Sequence, residues 1–327
     1  MRPTQHLTTY APKMAWTLSA RQRLSVLIYH QVLKEPDPMR PGEITTPQFD
    51  WQMGLLARHA NVLPLPEALH RVQDGTLPPR AACVTFDDGY QDNYLNALPV
   101  LKQWGIPATF FIATGFVGTG IMFNDSIIEA IRRCPKCTLD LGDANLGAHH
   151  LDNWKARHTA ASSLIQQVKH APPKTRAQQV DMIVRYSGVS LHTESRLMMD
   201  ATQIRELQAA GMTIGAHTRT HPILSQLQAD MAHEEIKGSR ADLEGILQTP
   251  IEVFAYPNGK PNHDYARRDC ELVQAAGFKY AVSTSPGAAS SRMDPFQVPR
   301  FTPWDRTDAR FLMRLAVNAR RAGTLAS

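Results

Sequence analysis

Residues 81–90 read AACVTFDDGY. The first six are small, apolar or β-branched, as in a strand buried on both faces. Two carboxylates, Asp87 and Asp88, then stand side by side before Gly89. Neighbouring like charges repel, so a strand that ends this way needs a reason for it. Runs of the same kind recur at 24–30 (LSVLIYH), 107–114 (PATFFIAT), 212–217 (MTIGAH), 252–258 (EVFAYPN), 279–285 (KYAVSTS) and 296–301 (FQVPRF), making seven candidate strands. Helical patterns separate most of them. TPQFDWQMGLLARHA opens on Thr45 or Thr46 as cap with Pro47 in the first turn, and DATQIRELQAAG opens on Asp200. This alternation predicts a parallel α/β architecture.

Residues 115–199 break the rhythm. They read as helix and loop, with Pro172 and Pro173 marking a turn, and the alternation resumes after them. The stretch is too long for a bare loop and is expected to be an insertion serving as cap or lid. Residues 1–23 are expected to be an N-terminal extension, 24–306 the catalytic domain, and 307–327 a C-terminal amphipathic helix whose arginines could meet an anionic surface.

Composition excludes several classes. The 327-residue chain is 43% hydrophobic and 20% charged, ordinary for a globular protein. Net charge is +5, but Lys and Arg are scattered without interleaved aromatics, which argues against nucleic acid. Residues 1–20 contain no apolar signal core, and no window approaches the ~18 apolar residues of a membrane span. The expected location is the cytoplasm, with peripheral association at a membrane face left open. Cys134 and Cys137 form C-P-K-C, with His149 and His150 nearby, but no second CxxC completes a zinc site. Free thiols are the favoured reading, and Cys83 is expected to be a small buried hydrophobe.

The candidate strands end in polar residues: His30, Asp87 and Asp88, His217, Tyr256 and Asn258, and Arg300. In parallel α/β folds the strand C-termini converge on one face, where sites form. HTRTH, 217–221, places two histidines four apart, able to face one metal if the segment turns helically. With an acid from the 81–88 strand this makes an Asp-His-His site with open positions. One acid is then neutralised by a divalent cation while the other stays free as general base for the attacking water. The histidines favour a transition metal over calcium, which takes six to eight oxygens.

TFDDGY, HTRTH and FAYPNG, in that order, resemble the motifs of the polysaccharide deacetylase family, also called the NodB-homology domain or carbohydrate esterase family 4. The resemblance runs from about residue 24 to about 303, and LIYHQV resembles a strand near the start of one branch. It implies a distorted (β/α)7 barrel that removes N-acetyl groups from amino sugars of a polysaccharide, oligosaccharide or lipid-linked glycan. It implies Asp87 as general base and Asp88, His217 and His221 as ligands of a divalent metal, usually Zn2+. Tyr256, whose backbone N–H would help hold the oxyanion, and Asn258 would be substrate-binding. Two family features are missing. No Arg precedes FAYP to orient the base, and FQVPRFTPW carries no late His to protonate the leaving amine. Arg300 is the candidate for the first role and His30 for the second, with His263 a weaker one. Two other functions stay open: hydrolysis of a non-sugar C–N bond on the same barrel, and a decayed site that only binds carbohydrate.

Overall fold

A computed structural model describes Trp16 and residues 22–118, 120–191 and 197–327. Apart from Trp16, Gln22 and Arg23, the 1–23 extension lies outside the described residues.

In chain order the strands are β1 (Ser25–Tyr29), β2 (Val32–Leu33), β3 (Ile44–Thr45), β4 (Asn61–Val62), β5 (Ala81–Phe86), β6 (Ala108–Ile112), β7 (Thr138–Leu141), β8 (Gly147–His150), β9 (Thr213–Ala216), β10 (Val253–Ala255) and β11 (Tyr280–Val282). The main sheet runs β1-β5-β6-β9-β10-β11, with β4 also paired to β5. Its pairings are parallel: Tyr29 lies opposite Phe86, Phe86 opposite Phe110, Ile112 opposite Ala216, and Ala216 opposite Phe254. This register brings the residues that follow β1, β5 and β9 (His30, Asp87 and His217) to one end of the sheet.

The sheet curls until its edge strands meet through residues 298–301. Val298 N–H donates to Ala281 O at 2.8 Å, and Phe301 N–H donates to Val26 O at 3.0 Å. The seventh expected strand is therefore present only as isolated bridges, Val298 to Val282 and Phe301 to Leu27. Pro299 sits between them and has no N–H to give a continuous ladder. The resulting curled parallel α/β half-barrel is the NodB-like fold.

Side-chain alternation separates its two faces. Val26, Cys83, Phe111, Val253, Val282 and Val298 cluster together, while Leu27, Val84, Phe86, Phe110 and Phe254 pack with the helices in a larger core. In that outer core Phe86 stacks on Phe110 with centroids 4.7 Å apart. Space inside is tight: a Cβ on Gly215 would lie 2.5 Å from the Phe111 ring and 2.8 Å from Val253.

Among the described residues of the 115–199 insertion are three α-helices, Phe123–Arg133, Trp154–Lys169 and Pro173–Ser187, and an antiparallel hairpin of β7 and β8. The hairpin was not expected from the sequence. These elements share a core that includes Ile127, Leu139, Leu164 and Ile183. Ion pairs tie them to the loop after β2: Arg40 meets Asp125 at 2.8 Å, and Arg132 meets Asp37 at 2.5 Å. The C-terminal helix, Asp308–Asn318, is shorter than the expected 307–327 and buries Phe311, Leu312 and Leu315.

Candidate metal centre

Period-two alternation explains the division of the acid pair. Cys83, Thr85 and Asp87 share one side of β5 and its extension, so Asp87 points into the mouth of the barrel. There it meets Arg300. Arg300 Nη1 donates to Asp87 Oδ1 and Nη2 to Oδ2, both at 2.7 Å. Arg300 also donates to Thr85 Oγ1 at 3.1 Å and to Ser283 O at 3.0 Å, and is fully buried. Burial raises the Asp87 carboxyl, but the Arg300 guanidinium and then His217 outweigh it, holding the group below the usual carboxylate range.

Asp88 leaves that pattern by its backbone. Its φ is +77°, in the left-handed region that non-glycine residues rarely enter, and Gly89 follows at +91°. Such strain costs on the order of 1–3 kcal/mol and clusters at functional sites. It turns the Asp88 carboxylate toward HTRTH. Asp88 Oδ1 lies 3.4 Å from Nε2 of His217 and 3.4 Å from Nε2 of His221.

The two histidines do not converge by a helical turn, as the spacing alone suggested. Residues 217–221 form a loop in which Thr218 and His221 both take positive φ, +61° and +53°. The imidazole centroids end 4.8 Å apart. His217 faces inward from β9, and its Nδ1 bonds Ala255 O at 2.8 Å, leaving Nε2 toward Asp88. Glu235, on the helix Ala229–Leu247, holds the loop by accepting from the N–H groups of Arg219 and Thr220, both at 2.8 Å. Sequence reasoning missed Glu235; an acid on the helix after β9 carries no local signal of this task.

The donor set fits a metal. Asp88 Oδ1 is buried and has no hydrogen-bond partner, although a buried carboxylate oxygen normally has one. The ligand atoms of Asp88, His217 and His221 all lie within 4.8 Å of one another, and theirs is the cluster of this kind found among the described residues. Burial pushes His221 down to about 4, despite the opposing charge of Asp88, so it stands neutral as a ligand must. Burial would raise Asp88, but His217 and His221 hold it well below the ordinary range. Cys134, Cys137, His149 and His150 form no such cluster among the described residues; both cysteines are free thiols.

His30 is half-buried and lines three cavities. One, of about 280 Å3, also reaches Asp88, Tyr90 and, from the inserted helices, Asn124, His158 and Ser162. The position of His30 is held from TFDDGYQDNY. Asp92 accepts from Val32 N–H at 3.0 Å and from Gln31 at 3.0 Å, and Asn93 donates to His30 O at 2.7 Å. Burial, reinforced by Glu43, pushes Asp92 up to about 7 despite these bonds. Tyr90 donates to Asp125 of the inserted segment at 3.1 Å. His263 is instead bound to its neighbour Asp264 at 2.7 Å and lines none of the cavities that meet at His30.

Tyr256 corrects the expectation of a substrate contact. It is fully buried, stacks on Tyr265 with centroids 3.9 Å apart, and donates to Phe296 O at 2.9 Å. Its N–H, the expected oxyanion donor, is bonded to Val282 O at 3.2 Å. Tyr256 lies two residues after Phe254, so by alternation its side chain falls with Phe254 on the helix-covered side. Tyr256→Phe should cost about 1 kcal/mol of stability and leave turnover unchanged, as a thermal melt beside an activity assay would show. Asn258, by contrast, lines a cavity together with His30 and Arg300, at a φ of +59°.

Comparison with known proteins agrees with this fold. YxkH of Bacillus subtilis (strain 168), which carries the polysaccharide deacetylase name, is 21% identical over 281 residues, 84% of this chain and 70% of that protein. The poly-beta-1,6-N-acetyl-D-glucosamine N-deacetylase of Staphylococcus aureus (strain MSSA476) is 42% identical over 87 residues, only 26% of this chain and 30% of that relative. In fold, the Streptococcus pyogenes deacetylase PplD, solved with acetate, superposes with a TM-score of 0.61 at 19% identity, over 90% of this chain and 98% of that one. IcaB from Ammonifex degensii gives 0.57 at 20% identity, over 91% and 97%. The family model for polysaccharide deacetylases matches residues 74–281, more than half of the chain and the span that holds Asp87, Asp88, His217 and His221. The chain belongs to the polysaccharide deacetylase family.

Proposed function

We propose that this chain hydrolyses the N-acetyl group of an amino sugar in a glycan or lipid-linked glycan, using a zinc ion held by Asp88, His217 and His221. The observation that carries this reading is the division of the acid pair. Asp87 is clamped by Arg300 while its neighbour turns to two imidazoles. The 87-residue match to a poly-N-acetylglucosamine deacetylase supports N-acetylglucosamine as the unit acted on.

Zinc, when bound, would polarise the acetamide carbonyl as a Lewis acid. The chain's own residues carry the proton traffic. Asp87 takes a proton from the water that adds to the carbonyl carbon, and Arg300 keeps its carboxylate ionised and fixed in direction. His30, opening into the cavity that holds Asp88, gives a proton to the amide nitrogen as the C–N bond breaks. Acetate and a free amine leave. The inserted helix Trp154–Lys169 walls the same cavity through His158 and Ser162, which restricts access to the reacting group.

The test is metal analysis combined with acetate release from N-acetylglucosamine oligomers, with cyclic amides as the comparison set. The wild type is expected to carry zinc and release acetate. His217→Ala, which removes one of three ligands, should lose both. Full zinc content in that variant, or turnover of cyclic amides alone, would defeat the assignment.

A further inference from the structure

A second cavity, of about 790 Å3, adjoins the site: His30 lines both it and the cavity that holds Asp88, and Arg300, which clamps Asp87, lines it too. Its opposite wall is the C-terminal helix Asp308–Asn318 and the turn that follows. Positions 310, 313, 314, 317 and 321 recur at helical spacing and all line this cavity, while Phe311, Leu312 and Leu315 pack on the body.

That face carries two chemistries at once. Lys260, Arg310, Arg314 and Arg321 are cationic, and the lining acid is Asp305, which is already paired with Arg314. Arg300 is likewise committed to Asp87. Among the described residues, Lys260, Arg310 and Arg321 have no acidic partner, and all three are exposed. Beside them, Trp304, Met313 and Val317 are 65%, 43% and 45% exposed, so three of the seven exposed large hydrophobics among the described residues gather on one cavity. A neutral glycan could stack a sugar face on Trp304 but would leave the three cations unused. An amphiphilic anion would use both, with phosphate oxygens on the guanidinium and ammonium groups and an apolar chain along the aromatic and aliphatic side chains.

Resting on the deacetylase reading above, we propose that this cavity binds the phosphate or diphosphate of a lipid carrier, and that the amino sugar acted on is still attached to that carrier. The anion sits among Lys260, Arg310 and Arg321. The lipid runs along Trp304, Met313 and Val317, and the sugar's acetamide reaches past His30 to the metal ligands.

The test titrates farnesyl diphosphate into zinc-loaded protein by calorimetry, with uridine diphosphate as the nucleoside counterpart. Arg310→Gln/Arg321→Gln should bind farnesyl diphosphate at least about tenfold more weakly than the wild type, a loss of about 1.4 kcal/mol. Arg71→Gln, which alters a charge on a distant helix, should bind as the wild type does. Uridine diphosphate should bind the wild type at least about tenfold more weakly than farnesyl diphosphate. Equal binding by wild type and double variant overturns the proposal, as does an equal loss in Arg71→Gln. Uridine diphosphate binding as tightly as farnesyl diphosphate overturns the lipid carrier. The two readings fail separately. Acetate release from neutral oligomers, with farnesyl diphosphate indifferent to both arginines, removes only the carrier site. Arginine-dependent binding without acetate release from any N-acetylated substrate removes only the deacetylase.

Discussion

Asp87→Asn is expected to lower acetate release by about 10²–10⁴-fold while leaving bound zinc at the wild-type level, because it removes a general base and no ligand. The asparagine side chain keeps the size of the carboxylate, and its oxygen can still accept from one Arg300 N–H. It cannot take a proton from water near neutral pH. Stability also falls, since one of the two guanidinium bonds is lost and the Arg300 charge is left without its counter-ion in a fully buried place. Rates are therefore compared well below the variant's melting temperature, with zinc measured on the same sample. A variant that holds zinc and turns over within about tenfold of wild type would show that the proton goes elsewhere, since loss of a general base costs more than that. A variant that loses zinc would show that the two acids do not have separate tasks.

The division between what the sequence makes plain and what it hides follows the range of the interactions. A buried strand ending in two acids is local, and so is a histidine pair at the end of another strand. Both can be read from composition and period. The match of β1, β5, β6 and β9 to their apolar runs has the same origin, since a strand covered on both faces must be apolar throughout. What reaches across the chain cannot be read this way. The Arg300–Asp87 contact joins residues 213 apart; Arg300 is a candidate for it only through its place at a strand end and the missing Arg before FAYP, and no local pattern around it announces the contact itself. The Glu235 anchor and the left-handed backbone at Asp88, Thr218 and His221 are set by tertiary packing, and no glycine at those positions marks them. Tyr256 misled for a related reason. The VFA run does not say which of its two faces turns inward, and a difference of one residue moves a side chain from one face of a sheet to the other. The β7–β8 hairpin did leave a trace, since TLDL alternates polar with apolar residues and is exposed and buried in turn, but four residues are too few to outweigh the helical surroundings.

Removing Arg300 tests the same pair from its other side. Arg300→Leu keeps much of the apolar stem but leaves the Asp87 carboxylate buried without a counter-ion. Breaking one side of a buried pair costs about 3–5 kcal/mol, so denaturant unfolding at neutral pH should show a loss of that size. The pH dependence carries a sign that a simple packing defect would not. In the wild type, Asp87 is held below its unfolded value, so it adds stability above the unfolded pKa and loses that contribution as pH falls. With the guanidinium gone, burial becomes the dominant influence and the carboxyl is raised above its unfolded value. Its folded form then favours the proton, and stability is lost as pH rises through the raised pKa. The gap between wild type and Arg300→Leu should therefore narrow on going from neutral pH toward about pH 4, the ordinary aspartate pKa. Adding Asp87→Ala to Arg300→Leu should restore part of the lost stability at neutral pH, since replacing both members of a buried pair by apolar groups is often close to neutral. A double variant as unstable as Arg300→Leu alone, with a gap that does not change with pH, would mean that the guanidinium serves to pack against Phe111, 5.5 Å from its ring, and not to hold a charged base in place.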